Sequence, residues 1–122
     1  RIRMKNNDYQ AWAITKERAA DEVANRLSTN HGQIRLIHAV LGLSGEIGEV
    51  TDVVKKSVLY NTPLNVENVK EEVGDLLWYM AVLLDEIGSS FEEVMKMNHD
   101  KLETRYPGGF TEKLAQERLH KK

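Results

Sequence analysis

The feature that most constrains this chain is a pair of acidic tetrads in two apolar segments. They read EIGE at residues 46–49 and EVGD at residues 72–75, so each has the order acid, apolar residue, glycine, acid. Acids three positions apart lie on one face of an α-helix, about 60° apart around its axis. Like charges at this spacing repel, and apolar surroundings add a desolvation cost. We therefore predict that two helices bring the carboxylates together around a divalent metal ion.

The predicted ligands are all carboxylates: Glu46, Glu49, Glu72 and Asp75. Because oxygen ligands without histidine or cysteine favour hard cations, we expect Mg²⁺, with Mn²⁺ as a possible substitute, rather than Zn²⁺. A glycine inside a helix costs about 1 kcal/mol relative to alanine, so the glycines of the tetrads indicate a close approach of the two helices. A single acidic pair would be better explained as a solvated surface, but its repetition in two apolar helices favours the metal site.

Hydrophobic periodicity and capping residues predict an all-α chain without strands. The expected fold resembles a four-helix bundle with a short addition at the C-terminus. Four helices are predicted at about 8–27, with Asp8 as the candidate N-cap; 33–60; 66–87, between Asn65 and Gly88 as caps; and from Ser89 or Ser90 to about 106. A short fifth helix is predicted from Thr111.

Length and composition indicate one globular domain over residues 1–122, with a flexible N-terminus at 1–7 and a C-terminal tail or short helix over 108–122. The net charge of -2 and the lack of a basic stretch before the last residues argue against a nucleic-acid partner. The longest apolar run, Leu76 to Leu84, is about half of a membrane span. We expect no membrane association, no secretory signal and a cytoplasmic location.

The same apolar run makes the third predicted helix hydrophobic nearly all round. Since a small monomer covers only one or two faces of a helix, we expect a second subunit to bury the rest. Dimer and tetramer stay open, and a central helix in a monomeric bundle is the alternative.

Helical spacing predicts further site residues around the carboxylates. Tyr79 shares the acidic face of the third helix, and Lys56 shares that of the second. Asn98, Lys101 and Arg105 form a stripe on the fourth helix that suits phosphate oxygens. A buried core tyrosine and a solvated stripe are the plain alternatives. Carboxylates beside such a stripe point to a phosphate-bearing substrate, and no P-loop motif is present.

In their order along the chain, these motifs resemble the all-α nucleoside triphosphate pyrophosphohydrolases, in particular the short, single-domain MazG-like group of bacteria and phages. The resemblance covers about residues 9–110. It rests on HA at 38–39, LGL at 41–43, GEIGE at 45–49, KK at 55–56, EEVGDLLWY at 71–79, Asn98, KL at 101–102 and RYP at 105–107.

The resemblance implies Mg²⁺-dependent hydrolysis of a (deoxy)nucleoside triphosphate between the α and β phosphates, in control or cleansing of the nucleotide pool. It implies that the four carboxylates bind the metal and that one of them helps to activate the water. It also implies a homodimer or homotetramer. The substrate contacts that it implies are Asn98, Lys101 and Arg105 at the phosphates, together with Lys56, and Tyr79 near the sugar or base.

Three other interpretations remain open at this point. A di-iron carboxylate bundle is disfavoured because its usual ExxH pairs do not occur here. A non-catalytic helical module would bind nucleotides or a protein partner without turnover. A phosphoribosyl-ATP pyrophosphohydrolase would belong to the same superfamily, although the run LLWY at 76–79 is more similar to the MazG-like group.

Overall fold

The structure, a computed structural model, describes residues 5–119, and these form six α-helices and no strand. The all-α prediction is confirmed. The chain divides into a first compact unit that ends at Ile34 and a second that begins at Arg35. No helix within 5–119 is long and apolar enough to cross a bilayer. The helices are α1 (Asn6–Ile14), α2 (Ala20–Leu27), α3 (His31–Tyr60), α4 (Val66–Glu86), α5 (Phe91–Arg105) and α6 (Glu112–Leu119).

The sequence predicted a single helix over 8–27, and this prediction is wrong. The first unit contains two helices there, with a break at residues 15–19. The Thr15 hydroxyl donates to the Trp12 carbonyl, and three successive amides there bond three residues back, so the α-helical ladder ends. Asp8 is not the N-cap, because α1 already begins at Asn6 and the Asp8 carboxylate accepts the amide of Lys5. Of the N-terminus predicted to be flexible, residues 1–4 lie outside the described part.

The predicted caps of the second unit are confirmed. Asn65 opens α4 and Ser90 opens α5, and each side-chain oxygen accepts the amide three residues further on, at 3.1 Å. Gly88 follows α4 with φ of 70°, the left-handed conformation that favours glycine at a helix end. Thr111 caps α6 in the same way, at 3.2 Å, so the C-terminal segment left open as tail or helix contains a helix.

Helices α3 and α4 form an antiparallel pair held at defined points. At one end, the Arg35 guanidinium binds Asp85 at 2.8 Å and Glu86 at 3.0 Å. About two turns further along α3, Gly42 lies against the ring of Tyr79. A Cβ atom added to Gly42 would collide with that ring. The prediction that the helices approach closely at the tetrad glycines is wrong within one chain. A Cβ atom added to Gly48 or Gly74 would meet nothing within 4 Å. Gly42 makes the contact instead.

The core of the described chain is small. Only Ala39 and Leu76 are buried, one on each helix of the pair. Large apolar side chains stay exposed on the same helices, including Leu41 at 66%, Leu77 at 50% and Trp78 at 57%. Within residues 5–119, the chain does not cover α4 on all sides as the monomeric-bundle alternative requires. The homo-oligomer stays a prediction.

We predict that Gly42→Ala destabilises the protein by about 1–3 kcal/mol, the usual cost of inserting a methyl group into a filled contact. The reason is the collision of the new Cβ with the Tyr79 ring. Urea denaturation followed by circular dichroism measures the change. The matched control, Gly74→Ala, enters open space and should be neutral or stabilising by up to about 1 kcal/mol. Equal stability of Gly42→Ala and wild type would show that this contact does not fix the helix pair.

Candidate functional site

The four predicted carboxylates meet between facing turns of α3 and α4. Glu46, Glu72 and Asp75 each offer a carboxylate oxygen, and these oxygens all lie within 4.8 Å of one another. Glu49, one turn after Glu46, faces the carboxyl groups of Glu72 and Glu46. Helical phase within each tetrad and the antiparallel pairing of the two helices together produce this cluster.

The cluster carries negative charge that the described residues do not neutralise. The carboxyl of Glu72 raises the pKa of Glu49 above its ordinary value, and the carboxyl of Glu46 is the largest cause that raises the pKa of Glu72. Glu46 and Glu72 are half-buried, and the Oε2 atom of each is shielded from water without a hydrogen-bond partner among residues 5–119. Buried oxygens of this kind are normally bound by a hydrogen-bond donor or a cation.

A hard divalent cation fits these observations. The donor set consists of carboxylate oxygens alone, as Mg²⁺ and Mn²⁺ prefer, and no thiolate can compete because the chain has no cysteine. A cation would bind the two orphaned oxygens and remove the mutual repulsion at once. The side chains present therefore suit a divalent metal.

An open cavity of about 340 Å³ lies directly beside the cluster, and we call it the carboxylate cavity. Two of the carboxylates, Glu49 and Glu72, form part of its wall. Gly45 and Gly48 also line it, and a Cβ on either would meet nothing within 4 Å, so the missing side chains leave room beside the acids. The remaining lining residues are Asp52, Val53 and Asn68.

Asp52 lines this cavity, and the sequence did not predict it as a site residue. It follows Glu49 by three residues and precedes Lys56 by four, a spacing that places all three on one side of α3 and that could have revealed it. The Lys56 ammonium lies 2.9 Å from the Asp52 carboxylate, which lowers the pKa of Asp52 and raises that of Lys56. The ion pair thus favours the ionised form of Asp52 and places the Lys56 ammonium beside a residue of the cavity.

Tyr79 lies one turn beyond Asp75 on α4 and is half-buried. Its ring packs on Gly42 and stands edge-on to His38 and Trp78, with centroids 5.8 and 5.0 Å apart. These contacts match the packing role that the sequence left as the alternative. Contact with a nucleotide stays a prediction for this residue.

The three residues of the stripe predicted on α5 line two different cavities. Asn98 and Lys101 line an open cavity of about 260 Å³ along α5, whereas Arg105 lines one of about 190 Å³ toward α6. Neither cavity includes a carboxylate of the cluster. Arg105 follows Lys101 by four residues and so stays on the same face of α5, one turn further along. The cavity that it lines is completed by Leu114, Glu117 and Arg118 of α6. A shared phosphate site for the three residues stays a prediction.

Comparison with known proteins gives a family and one relative. The model of the MazG nucleotide pyrophosphohydrolase domain matches residues 36–110, which include the four carboxylates and the residues of the α5 stripe. The Gene 37 protein of Mycobacterium phage L5 is 32% identical over 78 residues, which cover 61% of this chain and 68% of the phage protein. No solved structure matches significantly.

We predict that Glu72→Gln raises the thermal unfolding midpoint in the presence of EDTA at neutral pH. The pKa of Glu72 is raised in the folded state, so its ionised carboxylate destabilises the fold at every pH at which it is charged. Glutamine has no charge and removes this cost. The gain over wild type should therefore shrink as the pH falls toward about 4, where glutamate protonates. Glu71→Gln, at the exposed neighbouring position, is the control and should leave the midpoint unchanged. A lower midpoint for Glu72→Gln would contradict the repulsion.

Proposed function

The chain belongs to the MazG nucleotide pyrophosphohydrolase family, and from that premise we propose that it hydrolyses (deoxy)nucleoside triphosphates between the α and β phosphates. The products would be a nucleoside monophosphate and pyrophosphate. The family in general hydrolyses nucleotides and uses divalent metals. Mg²⁺, with Mn²⁺ as a substitute, and triphosphates as substrates are our specific proposals for this chain.

The observation that carries the proposal is the cluster of four carboxylates beside an open cavity. Three of them offer oxygens within 4.8 Å of one another, and two have an oxygen buried without a partner in the described chain. Phosphate hydrolysis depends on neutralising anionic oxygens, and this chain supplies anions that themselves require a cation. A nucleotide carrying its own metal would satisfy both.

We assign the metal-holding role to all four carboxylates, with the mutually close oxygens of Glu46, Glu72 and Asp75 as its centre. When bound, the cation neutralises phosphate oxygens and lowers the pKa of a water molecule. Glu49 also lines the cavity and is exposed, so its carboxylate is the best placed to accept the proton of the attacking water. The water O–H bond then breaks as the new P–O bond forms, and the α–β anhydride bond breaks.

For the phosphates, we propose Lys56 on α3 and the α5 residues Asn98, Lys101 and Arg105. The Lys56 ammonium lies 2.9 Å from Asp52, which lines the carboxylate cavity, so a cation stands beside the place proposed for the phosphates. The family resemblance is the support for the α5 residues and for Tyr79 as a contact to the sugar or base.

We further propose that the protein acts as a homodimer or homotetramer. The support is the exposed apolar surface of α3 and α4, which is unusual for a soluble monomer and typical of a subunit contact. Since free nucleotides are the substrates, we place the enzyme in the cytoplasm, without a nucleic-acid or membrane partner.

The activity test is a panel of eight common nucleoside triphosphates with Mg²⁺, scored separately for pyrophosphate and orthophosphate. We predict pyrophosphate release that EDTA abolishes and that Mg²⁺ or Mn²⁺ restores. Glu49→Gln and Asp75→Asn should each lower kcat/KM at least about 100-fold, because they remove a proton acceptor or a metal ligand. Glu71→Gln is the matched control and should retain activity.

Each other outcome of this panel has a definite meaning. Orthophosphate as the product would overturn the proposed bond cleavage, and full activity of both variants would overturn the site. If none of the eight is hydrolysed, phosphoribosyl-ATP is assayed in the same way, and its turnover alone would assign the chain to the related pyrophosphohydrolases. Tight binding without turnover would support the non-catalytic module.

Sedimentation equilibrium tests the assembly. We predict a particle of two or four 14.0 kDa chains. Leu77→Glu, which places a charge on the exposed apolar face of α4, should shift the protein toward monomers because a buried charge opposes association. Glu71→Gln should leave the mass unchanged. A wild-type monomer at micromolar concentration would contradict the proposed assembly.

A further inference from the structure

A second cavity lies beside the carboxylate cavity, at the connection between α3 and α4. We propose that this loop cavity binds the nucleoside part of the substrate and that Asn68 is its principal polar contact. The inference rests on the proposed function and extends it to substrate recognition. The cavity has a volume of about 290 Å³ and is lined by Val53, Lys56, Ser57, Thr62, Pro63, Asn65 and Asn68.

The two cavities are neighbours with a shared wall. Val53 from α3 and Asn68 from α4 line both of them. Cavities that bind small organic ligands usually measure about 300–1,000 Å³. At about 340 and 290 Å³, each is near the lower limit, and only the two together match a ligand the size of a nucleotide.

The linings of the two cavities differ in chemistry. The carboxylate cavity contains Glu49, Asp52 and Glu72, whereas the loop cavity contains no acid. Its polar groups are hydroxyls, amides and the ammonium of Lys56, the residue proposed above for the phosphates, which is ion-paired with Asp52 of the carboxylate cavity. Apolar surface comes from Val53 and Pro63. Neutral hydrogen-bonding groups beside apolar surface suit an uncharged nucleoside, whereas a metal-bound triphosphate suits the acidic side.

Asn68 supplies the most specific observation. Its Oδ1 atom is shielded from water and has no hydrogen-bond partner in the described part of the chain. The fold uses only the Asn68 backbone, whose amide donates to the Asn65 cap. A buried amide oxygen without a donor destabilises the free protein, so its presence needs another explanation. An N–H or O–H group of a nucleoside, entering between the two cavities, would supply the missing donor.

The wall of the loop cavity is fixed before any ligand binds. The Ser57 hydroxyl donates to the Thr62 carbonyl at 2.6 Å, and the Thr62 amide donates back to the Ser57 carbonyl at 3.0 Å. Asn61 takes the left-handed conformation that this tight return requires, with φ of 49°. The Asn65 cap then starts α4 directly. Such a connection can bind a nucleoside without first being ordered.

The test compares two ligands that share a phosphate chain but not a nucleoside. Isothermal titration calorimetry with Mg²⁺ measures the binding of α,β-methylene deoxynucleoside triphosphates, which resist cleavage, and of inorganic tripolyphosphate. We predict that Asn68→Ala weakens the best nucleotide analogue at least about fivefold, the effect of one lost hydrogen bond. The Kd of tripolyphosphate should stay unchanged. The unfolding midpoint should not fall, because alanine removes an orphaned group and favours the helix.

The control variant is Asn25→Ala, at an exposed asparagine of α2, and it should change neither affinity. Equal weakening of both ligands by Asn68→Ala would show that Asn68 supports the phosphate or metal site, and would overturn the inference. Unchanged nucleotide affinity would overturn it as well, while the proposed hydrolysis could still hold. If wild type binds neither ligand, the proposed function itself fails and the inference fails with it.

Discussion

The mutual repulsion of four carboxylates is the constraint on which the rest of this structure depends. Two helices bring Glu46, Glu49, Glu72 and Asp75 together although the chain places no cation among them in its described part. Such an arrangement persists only if other contacts hold the helices in register. The Arg35 ion pairs and the Gly42–Tyr79 contact do this on one side of the cluster, and the Asn65-capped connection does it on the other.

The sequence predicted the parts of the site that follow from local rules. The spacing within each tetrad defines a helical face, and caps such as Asn65 and Ser90 depend on a single hydrogen bond. Local rules do not decide features that depend on the packing of one helix against another. Which glycine meets the opposite helix depends on the register of the pair, so Gly42 could not be chosen over the tetrad glycines. The cavity that Arg105 lines is completed by residues of α6, whose position the α5 pattern does not encode.

Among the unsatisfied groups of the described chain, three kinds each fit a different missing component. The orphaned oxygens of Glu46 and Glu72 fit a cation, and the orphaned Asn68 oxygen fits a neutral hydrogen-bond donor. The exposed side chains of Leu77 and Trp78 fit an apolar surface. No single component can satisfy all three, because charge, hydrogen bonding and apolar burial make different demands. A metal ion, the proposed nucleotide and the proposed second copy would each satisfy one of these kinds of group.

These components need not depend on one another in the same way. The carboxylates already converge within one chain, so association of subunits is not required to form the cluster. The α5 residues are different, because Asn98 and Lys101 line a cavity that does not include those carboxylates. The metal-holding cluster is thus complete within one copy, whereas the proposed phosphate contacts Asn98 and Lys101 belong to a different cavity.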